Sequence, residues 1–353
     1  MDSRERINLA LDHRPADRVA IQDAPWGTTL ERWRREGLPA EVTPADYFHY
    51  ELAGYWPDLT TRFPAELREE TDEYEIHLNS WGVQTKTWKH RASVPQWLSY
   101  TLQTRADWEE HKHRMVWDSN RVDWEAARQA QAEARARGQW FHFTGAFGYN
   151  WIILFAGDEN LLMAMASEPE WAQDMFDTCG QLLCDALEDM IGHGFEFDGC
   201  FIYDDMGYRG GPLFSPAMFR RYEFPNHQRF YQLAKSHGLK TILHSCGNVT
   251  ALIPGLIEAG LSCLQPLEVK AGMDLLQLKQ DYGEVLSFMG GIDARKMAHP
   301  DPTVIEEEIR TKVTAAKQNG GYIFHSDHSI PDDVSFEQYC RVVELAKKYG
   351  SYE

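Results

Sequence analysis

The chain has 353 residues, and its 54 acidic residues outnumber the 35 basic ones, which leaves a formal charge of −19 at pH 7. Hydrophobic residues make up 43% and charged residues 25% of the chain. This balance is typical of a folded protein with a substantial core and excludes a disordered chain. The acidic surface disfavours nucleic acids and anionic membranes as general partners, because both are polyanions.

Neither a membrane span nor a secretory signal is predicted. No run of about 18 apolar residues occurs, and residues 1–6 carry charges with no apolar segment behind them. The six cysteines form no Cys-x-x-Cys pair and are too few for a disulfide scaffold. We therefore expect reduced thiols in a cytoplasmic protein. The cysteines are Cys179, Cys184, Cys200, Cys246, Cys263 and Cys340.

In chain order, the first predicted elements are two strands and one long helix. Residues 18–22 and 140–144 are short runs rich in β-branched or aromatic residues, as buried strands are. Pro169 begins a helical pattern that extends to about Gly192. Residues 40–135 are rich in tryptophan and charge, and they predict helices and a small hairpin around residues 80–82 that decorate the main fold.

The carboxy-terminal half alternates short apolar runs with helical segments. The runs at residues 198–205, 239–244, 261–265, 285–290 and 321–325 are mostly apolar on both faces, as parallel strands covered by helices are. Between them, one helix is expected to end at Gly260, and another begins at Pro302 with Asp301 as its N-cap. The alternation predicts an α/β barrel with a parallel sheet, and residues 1–353 read as a single domain.

Polar residues follow nearly every predicted strand of the carboxy-terminal half. The carboxyl ends of the strands of a parallel barrel converge on one mouth, so this recurrence predicts a functional site there. The residues are Asp204, Asp205, His244, Cys246, Gln265, Glu268, Asp293, His325, Asp327 and His328.

The pair His244 and Cys246 indicates a metal site. Imidazole and thiolate are a partial ligand set for Zn²⁺, which in enzymes takes three protein ligands and keeps one position open. The third ligand is expected from the last strand, where Asp327, His325 and His328 are the alternatives. The competing interpretation is that these residues hydrogen-bond an anionic substrate.

The carboxylates have both catalytic and structural interpretations. Asp204 and Asp205 are adjacent, so at most one faces the barrel axis unless the strand has already ended. The functional interpretation is that one of these aspartates is a base, a cation anchor or a partner of His244. The structural interpretation is that it caps the following loop. Asp293 follows two glycines and is either functional or a helix N-cap, and Glu268 lies in a loop that lines the mouth or only connects elements.

Ordered motifs along the chain resemble the uroporphyrinogen decarboxylase superfamily. The motifs are His-Ser-Cys-Gly-Asn at residues 244–248, and residues 14–19, 204–207, 215–219, 252–260, 265–267, 282–283, 288–293 and 320–323. The resemblance covers most of the chain and is weakest over residues 40–135. It implies a (β/α)₈ barrel of the TIM type.

The resemblance favours the corrinoid-linked methyltransferase branch of this superfamily. The metal-free decarboxylases carry an arginine-rich segment that receives substrate carboxylates, whereas the equivalent residues 22–27 here contain no arginine and include Asp23. The methyltransferases hold zinc with a His-x-Cys pair and a distant cysteine. The pair maps onto His244 and Cys246, and the distant cysteine falls near Asp327, which implies an oxygen ligand, with His328 as the alternate.

The resulting hypothesis is a zinc-dependent methyltransferase or demethylase. It moves a methyl group between a small O- or N-methyl substrate and a corrinoid carried by a separate protein. The expected catalytic residues are Asp204, Asp205 and Asp293, and the expected substrate contacts are Trp26, Tyr208, Gln265, Glu268 and His325. The alternatives are a metal-independent decarboxylase of a small carboxylic acid and a non-catalytic barrel that binds a small ligand.

Overall fold

The computed structural model describes residues 1–90 and 95–352. Eight parallel strands form one curled sheet: from the second strand onwards each pairs with the next in chain order, and the last pairs with the first. The strands are Ala20–Ile21, Leu52–Tyr55, Trp140–Ala146, Gly199–Tyr203, Lys240–His244, Cys263–Gln265, Ser287–Met289 and Tyr322–Phe324. With the helices that surround it, this sheet confirms the predicted TIM-type barrel.

The first two strands meet at the remaining seam of the barrel. The Glu51 N–H donates to the Ile21 carbonyl at 3.3 Å, and the Leu52 N–H donates to the Gln22 side-chain oxygen at 3.0 Å. The Glu51 side chain is buried, accepts the Ile21 N–H, and pairs with Arg6 and Arg18. A side-chain network thus completes the seam where the backbone ladder is short.

The helices lie around the barrel, and several begin at the positions that the sequence predicts. Pro169–Gly192 is the longest helix, and Pro302–Ala316 begins with Asp301 as its N-cap, as expected. The others are Ser3–Leu11, Gly27–Glu36, Pro44–Phe48, Arg105–His111, Trp124–Ala136, Gly148–Ala156, Asp158–Ser167, Pro216–Met218, Phe224–Ser236, Ile253–Ala259, Leu275–Tyr282, Ala294–Met297 and Phe336–Gly350. A π-helical segment, Phe219–Glu223, precedes Phe224–Ser236. Among the described residues, no helix has the length and apolarity needed to cross a bilayer.

The prediction for residues 40–135 is partly wrong. Leu52–Tyr55 is a strand of the barrel and not a decoration. The hairpin at residues 80–82 is present, but it belongs to a four-stranded antiparallel sheet. The strands of that sheet are Glu66–Glu70, Tyr74–Leu78, Val83–Trp88 and Gln96–Tyr100. Residues 91–94 lie outside the described residues.

The barrel interior is closed at its amino-terminal end by the first helix. Ile7, Ala10 and Leu11 of Ser3–Leu11 pack in one cluster with inward-facing strand residues such as Trp140 and Ile242. Apolar side chains fill this end because alternate residues of each strand face the axis. The polar residues that face the barrel interior lie at the other end, at the carboxyl ends of the strands.

Candidate active site at the barrel mouth

A cavity of about 240 Å³ occupies the carboxyl end of the barrel. Its walls come from strand ends and from the loop that follows the last strand. The lining residues are Gln22, Ala24, Leu52, Ala53, Gly54, His142, Phe201, Tyr203, His244, Gln265, Met289, His325, His328 and Ser329. A larger groove of about 690 Å³ between outer helices contains none of the predicted site residues.

Three side chains of the types that bind metals converge at this mouth. The His244 Nε2 atom lies 3.2 Å from the Cys246 sulfur and 3.4 Å from Asp205 Oδ1. Candidate ligand atoms of all three residues lie within 4.8 Å of one another. The Cys246 N–H donates to Asp205 Oδ1 at 2.8 Å, which holds the carboxylate against the His-x-Cys turn.

A chain of hydrogen bonds orients His244. Its Nδ1 faces the Gln265 side-chain oxygen, which can only accept, so Nδ1 carries the hydrogen and Nε2 keeps its lone pair. The Gln265 amide faces His325 Nε2 at 3.4 Å, and His325 Nδ1 donates to its neighbour's carbonyl at 2.7 Å. Metal-binding histidines are commonly fixed in this way by a partner on the second ring nitrogen.

His328 is close to the same sulfur but faces it in another tautomer. Its Nδ1 accepts the Ser329 N–H at 2.7 Å, so the hydrogen of the neutral ring sits on Nε2. That Nε2 lies 3.5 Å from the Cys246 sulfur. The geometry suits a hydrogen-bond donor to the sulfur better than a metal ligand. The Trp26 ring stacks on the His328 ring, with the centroids 5.8 Å apart.

Burial keeps the His244 imidazole and the Cys246 thiol uncharged in the absence of a cation. Burial lowers the pKa of His244, which leaves the imidazole neutral. Burial, followed by the nearby Asp205 carboxylate, raises the pKa of the Cys246 thiol. A divalent cation would reverse the second effect, because a coordinating thiol is deprotonated. The imidazole, sulfur and carboxylate set fits Zn²⁺ with one open position.

The expected third ligand from the last strand is not in this group. Asp327 Oδ1 accepts the Ala294 N–H and Oδ2 accepts the Val269 N–H, both at 3.1 Å. Both oxygens are therefore used to hold neighbouring loops. The carboxylate that lies beside His244 and Cys246 is that of Asp205 and not that of the predicted ligand Asp327.

None of the three residues expected to be catalytic is among the described residues that line the cavity, and two of them have other partners. Asp204 is fully buried and forms a hydrogen bond with His227 at 3.0 Å, whereas Asp205 lies beside His244. Asp293 caps the helix Ala294–Met297 and binds the Arg295 guanidinium through both oxygens. Burial opposes its ionisation, but the hydrogen bonds from Arg295 lower the pKa of Asp293 overall. The N-cap alternative describes this residue.

The residues expected to contact substrate divide between the cavity and its rim. Gln265 and His325 line the cavity. Glu268 accepts the Gly247 N–H at 2.7 Å and thereby supports the Cys246 turn. Trp26 and Tyr208 are 52% and 55% exposed and lie at the rim.

Tyr208 reaches the rim because Gly247 permits close packing. Gly247 has a φ of 76°, and a Cβ there would lie 2.3 Å from the Gly207 carbonyl carbon. The hairpin of Gly207–Tyr208 with Gly211–Pro212 therefore packs directly on the turn after Cys246.

Several cavity residues were not identified from the sequence. His142 faces inward two residues after Trp140 and two before Thr144, whose hydroxyl lies 2.9 Å from its Nδ1. Polar residues at a period of two in an otherwise apolar strand are the signal that marks it. Phe201, Tyr203 and Met289 also line the cavity, but core strands contain such residues commonly.

The described residues that line the cavity include neither arginine nor lysine. The next three arginines along the chain, Arg32, Arg34 and Arg35, lie on the helix Gly27–Glu36, where Arg32 pairs with Glu36 at 2.7 Å. A substrate with several carboxylates would have no cationic partner in this cavity. Residues 22–27, which stand where the decarboxylases have the arginine-rich segment, form structural contacts within the barrel. Gln22 bridges the seam between the first two strands, and Asp23 accepts the Ser326 hydroxyl at 2.5 Å.

Comparisons with known proteins identify the fold and the family. No curated protein matches the chain. A methyltransferase from Methanosarcina mazei is 15% identical and superimposes with a TM-score of 0.70 over 99% of each chain, which shows a shared fold. An endo-β-mannanase/endo-β-glucanase from Prevotella bryantii has a TM-score of only 0.39, at 11% identity over 68% of this chain and 40% of that one. The uroporphyrinogen decarboxylase (URO-D) family model matches residues 153–349, more than half of the chain, so the protein belongs to the URO-D family.

Proposed function

We propose that this protein is a zinc-dependent methyltransferase that exchanges a methyl group between a small O- or N-methyl compound and a corrinoid on a separate protein. The observation that carries the proposal is the convergence of Asp205, His244 and Cys246 at the barrel mouth. The His244 tautomer supports it, because Nε2 is free to coordinate. The name of the Methanosarcina mazei fold neighbour agrees with this activity.

Each residue of the site has a defined task in this proposal. Asp205, His244 and Cys246 would hold zinc, and Cys246 gives up its thiol proton when it does so. When bound, zinc supplies a Lewis acid that polarises the heteroatom carrying the methyl group. Gln265 keeps the His244 ring in place, and the His328 Nε2–H faces the Cys246 sulfur and stabilises its negative charge. On demethylation, the heteroatom keeps the electron pair of the broken bond and then takes up a proton.

The cavity limits the substrate to a small molecule without several negative charges. Its volume is about 240 Å³, its walls are aromatic, imidazole and amide groups, and the described lining residues carry no fixed positive charge. A corrinoid macrocycle is much larger than this space. The corrinoid must therefore approach from outside, on a carrier that docks over the mouth.

Exposed aromatic residues at the mouth support docking of such a carrier. Trp56 is 40% exposed and stacks on Tyr203 of the cavity wall, with the ring centroids 5.3 Å apart. Trp26 lies against His328, and Tyr208 lies beside the turn after Cys246. Exposed aromatic residues are enriched at protein interfaces, because they bury a large apolar area and still offer a polar atom.

Zinc content and methyl transfer test this proposal together. Wild-type protein, Cys246→Ala and Cys340→Ala are purified from zinc-supplemented cells and analysed for metal. Cys340 is the matched control because it is a partly buried free thiol on the outer helix Phe336–Gly350. We expect Cys246→Ala to contain one zinc fewer per chain than the wild type and Cys340→Ala to contain the wild-type amount.

The activity assay uses reduced cobalamin as the methyl acceptor and a panel of small methyl ethers and methylamines as donors. Transfer is expected with the wild type and with Cys340→Ala, and it is expected to be lost in Cys246→Ala. Equal zinc content in all three proteins would contradict the metal site. Release of CO₂ from a small acid that chelators do not inhibit would contradict the methyltransferase and favour the decarboxylase alternative.

A further inference from the structure

A second group of ligand-type side chains lies behind the strand Gly199–Tyr203, away from the mouth. It consists of Asp204, Glu223 and His227, whose side chains are all 0% exposed. Glu223 ends the π-helical segment Phe219–Glu223, and His227 is one turn further on in the helix Phe224–Ser236. One potential ligand atom from each of these residues lies within 4.8 Å of the other two.

Each of the three residues has one polar atom held by a partner and a second atom that faces the others. Asp204 Oδ1 accepts the Asn150 N–H at 3.1 Å, and Glu223 Oε1 accepts the Tyr149 N–H at 2.7 Å. His227 Nδ1 lies 2.8 Å from the Tyr231 hydroxyl. The inward atoms are Asp204 Oδ2, Glu223 Oε2 and His227 Nε2. Partners on the outer atoms of all ligands are a general feature of protein metal sites.

One carboxylate oxygen of Glu223 lacks an N–H donor among the residues that the structure describes. This Oε2 atom is buried and receives no hydrogen bond from an N–H group within the described part of the chain, and burial, followed by the adjacent Asp204 carboxyl, raises the pKa of Glu223. This oxygen lies 3.7 Å from His227 Nε2, which itself lies 3.0 Å from Asp204 Oδ2. Neighbouring ligands of a zinc ion are separated by similar distances, since each lies about 2.0–2.2 Å from the metal.

The charge and walls of this space also favour a cation. Within residues 1–90 and 95–352, neither carboxylate forms an ion pair with lysine or arginine. The rings of Phe147 and Phe219 pack around His227, with centroid distances of 4.6 Å and 5.7 Å. Two carboxyl groups in apolar surroundings either bind protons, since burial raises the pKa of both, or take up a counter-charge. A divalent ion with a neutral imidazole would balance them.

The backbone of a glycine lies against the inward oxygens of Asp204 and Glu223, where a side chain would not fit. Gly148 has a φ of 71°, and a Cβ there would lie 2.4 Å from Asp204 Oδ2 and 2.5 Å from Glu223 Oε2. The inward oxygens therefore face the start of the helix Gly148–Ala156.

We propose that Asp204, Glu223 and His227 form a second, buried site for a divalent transition-metal ion, in addition to the site at the mouth. Carboxylate oxygen and imidazole nitrogen are suitable ligands for Zn²⁺, Mn²⁺ and Fe²⁺. The ion has a structural role, because it joins the end of the strand Gly199–Tyr203 to the π-helical segment and to Phe224–Ser236. Since Asp204 precedes Asp205 directly, this link also fixes the chain that presents Asp205 to the mouth.

Metal analysis of four proteins separates this site from the one at the mouth. The proteins are the wild type, Cys246→Ala, Glu223→Gln and the double variant, each assayed for zinc, manganese and iron and checked for folding by circular dichroism. Glutamine has nearly the same shape and keeps the acceptor for the Tyr149 N–H. We expect two metal ions per chain in the wild type, one in each single variant and none in the double variant.

The results distinguish failure of this proposal from failure of the proposed function. If Glu223→Gln holds as much metal as the wild type, the buried site is refuted, and the group shares protons instead. If Cys246→Ala holds as much as the wild type, only the site at the mouth is refuted. Should Glu223→Gln fail to fold, anomalous diffraction from wild-type crystals decides the question. A metal peak between the three residues is expected, and its absence overturns the proposal.

Discussion

Exchanging aspartate for asparagine at two positions tests which carboxylate serves the mouth site. Asp205 and Asp327 are both close to the mouth, but they have different partners. Asp205 Oδ1 lies 3.4 Å from His244 Nε2, and its side chain is 35% exposed. Asp327 is 3% exposed and accepts two backbone N–H groups. The two substitutions should therefore affect different properties of the protein.

Asp205→Asn should weaken zinc binding with little loss of stability. The amide oxygen still accepts the Cys246 N–H, whereas the negative charge beside His244 is lost. Loss of a partner that only supports a metal ligand costs about 10- to 100-fold in affinity, or roughly 1.4–2.7 kcal/mol, so loss of the ligand itself should cost at least as much. The free energy of unfolding should change by less than about 1 kcal/mol.

Asp327→Asn should show the opposite pattern. Asparagine has a single acceptor oxygen, so either the Val269 or the Ala294 N–H is left facing an NH₂ group. An unsatisfied buried donor costs about 1–3 kcal/mol of the free energy of unfolding. Zinc affinity is measured by competition with a chromophoric chelator, and stability by urea denaturation of the metal-free proteins. The assignment of Asp205 would be refuted if Asp327→Asn lost zinc while Asp205→Asn retained it.

Three further predictions concern stability, and all are measured by urea denaturation. Burial lowers the pKa of His142 from 6.5 to about 4. As the pH falls, His142 of the unfolded chain therefore takes up a proton before His142 of the folded protein does. The contribution of the neutral imidazole to the free energy of unfolding is complete above pH 6.5 and is lost as the pH falls towards 4. Between pH 7.5 and 5.5 the wild type should lose about 1.3 kcal/mol more than His142→Asn, and equal losses would contradict this. Gly148→Ala should cost about 2–5 kcal/mol, because of its left-handed backbone and the close carboxylates, whereas Gly27→Ala, with open space around the added Cβ, should cost less than about 1 kcal/mol. Arg6→Ala should cost about 3–5 kcal/mol, because the buried Glu51 keeps only the part-exposed Arg18 as a cationic partner at the seam and Asp17 loses its pairing with Arg6, and a cost below about 1 kcal/mol would rule out that role.

The sequence predicts those strands that can be recognised from their own residues and the residues next to them. Gly199–Tyr203 and Lys240–His244 are recognisable because covered parallel strands are apolar on both faces and are followed by helical patterns. Leu52–Tyr55 has no such signature, since it contains one glycine and no β-branched residue and lies among charged residues. Its assignment depends on pairing with Trp140–Ala146 and on the seam with Gln22, and both contacts are distant in sequence.

The His-x-Cys pair of the mouth site was also predictable, because its members are two residues apart on one turn. The sequence by itself therefore determined the barrel, the end at which its polar residues collect, and the pair His244 and Cys246. The third member of this group, a carboxylate, was decided by tertiary structure. Asp204 and Asp205 leave the end of one strand in opposite directions, and only packing with the π-helical segment decides which of them reaches the mouth. Asp327 is closer to the family pattern, but its oxygens are used by backbone N–H groups of two other loops, which no local pattern reveals.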